Sequence, residues 1–168
     1  LRLPYVQTRR DAWVEINLAN IEHNFLTLKS YCKNDTKIFA IIKADANGHG
    51  ATMIAPQLIA LGVNGFGVAS VDEGIELRQS GAKVPILVLG SVPSWSFISA
   101  IQHDIELSFF TDEHIKSAKQ AFEHTQKPVK VHVKVDTGMN RIGVGKDDAV
   151  EFINRVQSAK FIDLKGVF

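Results

Sequence analysis

A regular alternation of two kinds of apolar segment limits what this chain can fold into more than any other property of its sequence. Short runs rich in β-branched residues recur along it: "KIFAIIK", "GFGVAS", "VPILVLG", "IELSFF", "VKVHVKVD" and "FIDLKGVF". Several are almost unbroken in apolar residues, the pattern of strands covered on both faces of a parallel sheet. Segments with helical spacing lie between them. Leu18, Ile21, Phe25 and Leu28 share one face of the first, which starts near Asn17 or Asn20. Met53, Leu58 and Leu61 mark the second, with Pro56 expected in its first turn. Asp72 is the expected N-cap of "EGIELRQ", and Gly81 its stop. Residues 112–124 and 147–158 continue the series, with Asp112 and Asp147 near their starts.

The repeat is βα, with no linker interrupting it. Such a series folds as a doubly wound open sheet or as a closed barrel. The open sheet usually carries a glycine-rich phosphate loop after its first strand, and no G-x-G-x-x-G occurs here. The expected fold class is therefore α/β, a (β/α)8 TIM-type barrel. Six candidate strands fall short of eight, and a barrel usually takes about 250 residues. The chain opens at Leu1 and stops at Phe168 inside an apolar run, so a barrel truncated after about six βα units is expected over residues 1–168.

Composition narrows the function classes. At 45% apolar and 22% charged residues, neither disorder nor a fibre is indicated. A net charge of +1, with acids and bases interspersed, gives no footprint for nucleic acid or an anionic membrane. Arg9 and Arg10 resemble an export signal, but "DAWVEINLAN" turns polar at once. The lone Cys32 cannot form an internal disulfide, and no segment has membrane-spanning length. A cytoplasmic setting is expected.

In a barrel, residues at the C-terminal ends of the strands face the active site. Lys43 stands at such an end, in "IIKADANGHG". A lysine there is ordinarily a solvated charge closing a strand. Beside Ile41 and Ile42, partial burial would instead favour the neutral amine, a nucleophile able to form a Schiff base. The residues alone leave both roles open. His49 in "GHG" is either an acid–base group or a residue that starts a helix or packs. In "VHVKVDTGMNRIGV", Val131, Val133 and Val135 are expected to point one way and His132, Lys134 and Asp136 the other. Arg141 follows in a glycine-containing turn, where a guanidinium suits a carboxylate or phenolate. No metal-ligand cluster is indicated.

"KADANGHG" and "VKVDTGMNRIGV", with "DAWVEINLANIEHNFLTLK" and "GFGVASVDEGIELRQSGAKVPILVLG", resemble the alanine racemase family from about Ala12 to Phe168. The resemblance implies pyridoxal 5′-phosphate as cofactor, on a barrel domain followed by a β-rich C-terminal domain. It implies interconversion of L- and D-alanine, which supplies D-alanine for peptidoglycan. By position, Lys43 matches the lysine that holds the cofactor and acts as one of two bases. Lys134 matches a lysine that is often carbamylated. Arg141 matches the arginine near the cofactor phenolic oxygen and the substrate carboxylate. Asn47 stands where the family commonly has a tyrosine that contacts the cofactor phosphate.

The family's ring-stacking histidine would follow Phe168, and its opposing base is a tyrosine from the C-terminal domain of a partner subunit. A homodimer is therefore expected of the full-length protein, and no racemisation by the 168 residues alone. Alternatives are a racemase for another amino acid, a non-catalytic carrier of pyridoxal phosphate, a decarboxylase on a related barrel, or a barrel without cofactor. Arg141 argues against the carrier and "GHG" against the decarboxylase.

Overall fold

Six parallel strands follow one another across a single sheet in nearly the order in which the chain makes them. The computed structural model describes residues 13–168, so Arg9 and Arg10 lie outside the described residues. The chain runs α1 (Leu18–Ser30), β1 (Phe39–Ile41), α2 (Lys43–Gly48), α3 (Ala51–Ala60), β2 (Gly65–Val68), α4 (Val71–Gln79) and β3 (Ile86–Val88). A 3-10 turn (Ser94–Ser96) leads into α5 (Phe97–Gln102), β4 (Glu106–Phe109), α6 (Asp112–Thr125) and β5 (Val129–Val133). It ends with β6 (Val135–Asp136), β7 (Val144–Gly145), α7 (Ala149–Ser158) and β8 (Ile162–Val167).

The sheet order is β1-β2-β3-β4-β5-β8, and every pairing is parallel. Parallel neighbours joined by helices need crossovers of one hand. Because the order never reverses, those crossovers place the helices on one side of the sheet. A doubly wound sheet would reverse at its switch point. The arrangement is the arc of a (β/α)8 barrel, with an outer helical layer and an inner face.

Strand alternation divides the two faces. Phe66, Val68, Ile86, Val88, Leu107, Phe109, Val129, Val131 and Val133 are buried under the helices. His132 and Lys134 alternate with these valines and lie on the inner face, as the pattern predicts. Close approach explains Gly67: a Cβ there would sit 2.6 Å from Ile41 Cδ1, so Ile41 can lie across it.

All six strand runs of the sequence form strands, and the helices differ in detail. Asn17 caps α1 by accepting from Ala19 and Asn20 N–H. Of the proposed apolar stripe only Phe25 is buried; Leu18 and Leu28 are exposed. Pro56 lies well inside α3 rather than in its first turn, and Met53 is exposed while Ile54, Ala55 and Leu58 pack inward. The N-cap of α4 is Ser70, whose hydroxyl accepts Glu73 N–H, and not Asp72, which falls in the first turn. Helix α7 has Asp148 at its N-cap position, with Asp147 just before it, near the start as expected. The sequence pattern missed α5, the 3-10 turn before it and the β6–β7 pair.

Candidate active site

Six parallel strands bring their C-terminal ends to one rim. Ile42 extends β1 by donating its N–H to Gly67 O at 2.9 Å, and its side chain is buried. Lys43 follows at once and is exposed on that rim. Here the backbone turns the wrong way for L-residues. Ala44, Asp45, Ala46 and Asn47 have φ between 51° and 54° with ψ between 38° and 51°, a left-handed helical turn inside α2. Each such residue costs roughly 1–2 kcal/mol, so the turn needs contacts to hold it.

Those contacts come from several directions. Ala46 N–H donates to Ile42 O at 2.9 Å and Gly50 N–H to Asp45 O at 3.0 Å. The Asp45 carboxylate accepts Ala51 N–H, tying the turn to the start of α3. His49 Nδ1 lies 2.9 Å from Ala46 O, and a carbonyl can only accept, so the proton sits on Nδ1. That contact holds the exposed His49 ring beside the turn. Glu73 of α4 reaches across to accept Ala44 N–H at 2.9 Å with Oε1, and Ala69 N–H at 2.7 Å with Oε2. Sequence reasoning missed Glu73. The S-x-x-E spacing of "SVDE" marks a helix start but not the reach of Glu73 to Ala44. Asn47 is exposed at φ 53°, and asparagine tolerates that region better than an aromatic residue does.

The second part of the rim follows β5. Lys134 N–H donates to Phe109 O, and its ammonium stands 4.3 Å from the centroid of the Phe168 ring. Strands β6 and β7 pair in parallel and close the loop that carries Arg141, which is exposed. Asp136 organises the loop: its Oδ1 accepts Gly138 N–H and Asn140 N–H, each at 3.0 Å. Gly143 has φ 139°, and a Cβ there would meet Asp136 N at 2.6 Å, so no other residue fits that return without shifting the loop.

The backbone N–H groups of Asn140 and Gly138 hold the Asp136 carboxyl below its usual pKa. A lowered folded-state value means that the loop is fully supported above the unfolded value and loosens as pH falls through the folded one. Amide shifts of Gly138 and Asn140 are therefore expected to titrate only below about pH 4. Midpoints at or above that value would show that Asp136 does not hold the loop.

Beneath the rim the inner face is polar. Buried Glu106 lies 2.7 Å from His132 Nε2, and His132 is edge-on to both Phe39 and Phe168. Lys130 pairs with Asp104 and Lys165 with Asp163. Lys43, Asn47, Lys134 and Arg141 thus lie on or just below one rim. Among the described residues, neither Lys43 nor Arg141 makes a side-chain hydrogen bond or ion pair. No group of metal-ligand type is found among the described residues. No helix of the described residues is long and apolar enough to cross a membrane.

Residues 16–168 match the family described as "Alanine racemase, N-terminal domain". The chain is 35% identical over 163 residues to alanine racemase 1 of Oceanobacillus iheyensis, covering 97% of this chain and 43% of that protein. It is 39% identical over 160 residues to an alanine racemase of Clostridium novyi, covering 95% and 41%. Among solved structures, an alanine racemase of Clostridium difficile 630 in complex with cycloserine superposes with TM-score 0.91 at 37% identity, covering 96% of this chain and 45% of that one. A histidine racemase from Leuconostoc mesenteroides superposes with TM-score 0.80 at 32% identity, covering 90% and 41%. The chain thus spans about two fifths of the length of the curated relatives it matches.

Proposed function

From a chain that belongs to the alanine racemase family, we propose a whole protein that interconverts L- and D-alanine with pyridoxal 5′-phosphate, these residues forming the N-terminal part of its barrel. The observation that carries the proposal is the shared rim, with an exposed amine after β1 and an exposed guanidinium after β5. This donor set fits the cofactor. Lys43 offers an amine to its aldehyde, Arg141 a cation to its phenolic oxygen, and Asn47 an amide donor to its phosphate. When bound, the cofactor supplies a conjugated ring that acidifies the α-hydrogen of an amino acid.

Lys43 then holds or returns the α-proton from one face. Arg141 binds the substrate carboxylate and fixes the α-carbon before the amine. Lys134, if its neutral amine adds to carbon dioxide with loss of a proton, becomes an anion. That carbamate would give Arg141 a charged partner in place of a second cation. Inversion also needs a proton donor on the opposite face. The family resemblance supplies it as a tyrosine from the C-terminal domain of a partner subunit, which implies a homodimer. The cytoplasmic setting and the supply of D-alanine to the cell wall belong to the same proposal.

A second reading concerns the substrate side chain. The histidine racemase shares this portion at 32% identity, so a racemase for another amino acid uses the same scaffold. Incubation with pyridoxal phosphate, borohydride reduction and peptide mapping test the proposal. One saturating label on Lys43 is expected; labels scattered over surface lysines would count against it. With the whole protein, racemisation of alanine ahead of histidine, serine and lysine would decide the substrate.

A further inference from the structure

We propose that Glu73 is the positioning residue of Lys43, its carboxylate fixing the left-handed turn that aims the amine by accepting the amides of Ala44 and Ala69 together. This rests on the role assigned to Lys43 above. The bond to Ala69 is local, four residues back along the chain. The bond to Ala44 spans 29 residues and reaches the peptide group directly after Lys43. Ala44 is also the first left-handed residue, so its amide marks where the backbone leaves the path of β1. One carboxylate therefore ties the ends of β1 and β2 together beside the reactive side chain.

The chemistry of the clamp is specific to a carboxylate. Both amides are donors, and a carboxylate offers two acceptor oxygens and no hydrogen. A carboxamide of the same shape can accept one amide, but it turns an NH2 toward the other. A glutamate that only completed a helix cap would act on α4 alone. Capping of α4 falls to the Ser70 hydroxyl, which accepts Glu73 N–H at 3.3 Å. The two roles are separable by substitution.

Amide hydrogen exchange and the rate of pyridoxal phosphate labelling at Lys43 are to be measured on the wild type, Glu73→Gln and Ser70→Ala. Glu73→Gln is expected to speed exchange at Ala44 about tenfold or more, the loss of one charge-assisted bond. It is also expected to slow labelling of Lys43 about tenfold. Ser70→Ala lowers the melting temperature but should leave both readouts within about twofold of wild type. If Glu73→Gln lowers stability as Ser70→Ala does while both readouts stay at wild-type values, the inference is overturned.

Should Glu73→Gln fail to fold, Glu73→Asp retains the charge and, one methylene shorter, reaches only the nearer amide. Protection kept at Ala69 and lost at Ala44 is then expected, and protection kept at both overturns the proposal. If the wild type takes no label on Lys43, the role of Lys43 fails, and exchange at Ala44 still decides whether Glu73 holds the turn.

Discussion

Replacing Lys43 by alanine is expected to abolish the pyridoxal phosphate label and to lower alanine racemisation by the whole protein about 10^3-fold or more. On the proposed role two functions would be lost at once, the covalent hold on the cofactor and a proton carrier at the α-carbon, and either alone is worth orders of magnitude. The fold should survive, because Lys43 is exposed and its side chain supports no buried partner among the described residues. Unchanged circular dichroism and melting temperature would confirm that the loss is chemical. Lys134→Ala serves as the comparison: it removes a half-buried lysine side chain beside Phe168 and should leave the label on Lys43 in place. A full-strength, saturable label on the Lys43→Ala chain would place the reactive amine elsewhere.

The largest effect on stability is expected at Phe109. It is fully buried at the end of β4, with its ring 5.7 Å from that of Phe97 and 5.4 Å from that of His114. Burial holds the His114 imidazole below its usual pKa, and Phe110 N–H donates to its Nδ1, so a neutral ring completes the cluster. Phe109→Ala should cost about 3–5 kcal/mol, from lost transfer energy and the cavity left between sheet and helices. For a chain of this length that lowers the melting temperature by about 6–20 °C. Trp95→Ala, at an exposed aromatic, should stay within about 0.5 kcal/mol of wild type. Equal melting curves for the two variants would show that Phe109 is not a packing centre.

The strands were legible because burial on both faces demands unbroken apolar runs, and "VPILVLG" or "VKVHVKVD" meets that demand without help from distant residues. The alternation of His132 and Lys134 with three valines likewise predicts which side chains face inward. Helix faces were less legible. In "ATMIAPQLIA" nearly every residue is apolar, so spacing cannot tell exposed Met53 from buried Ile54. "SWSFISAIQ" is too short and too mixed to declare α5.

Within the site, Lys43 and Arg141 could be placed because each ends or follows a strand. The conformation after Lys43 could not be. Alanine favours right-handed helix, and "KADANG" gives no local reason to wind the other way. Part of what holds it is Glu73, a residue of another helix, and no local pattern encodes a contact over that separation. The parallel β6–β7 pair escaped notice because two-residue strands have no period to detect.

The left-handed turn also orders events in time. Its local bonds are only part of what holds it, and the tie from Ala44 N–H to Glu73 exists only in the folded chain. That tie closes only where the ends of β1 and β2 and the start of α4 meet, so the turn is fully held only once they are together. Bringing Glu73 to Ala44 closes a loop across 29 residues, an entropic cost that local helix formation does not carry. The direction of the Lys43 amine is thus set by folding itself, through a carboxylate that the sequence places far from it.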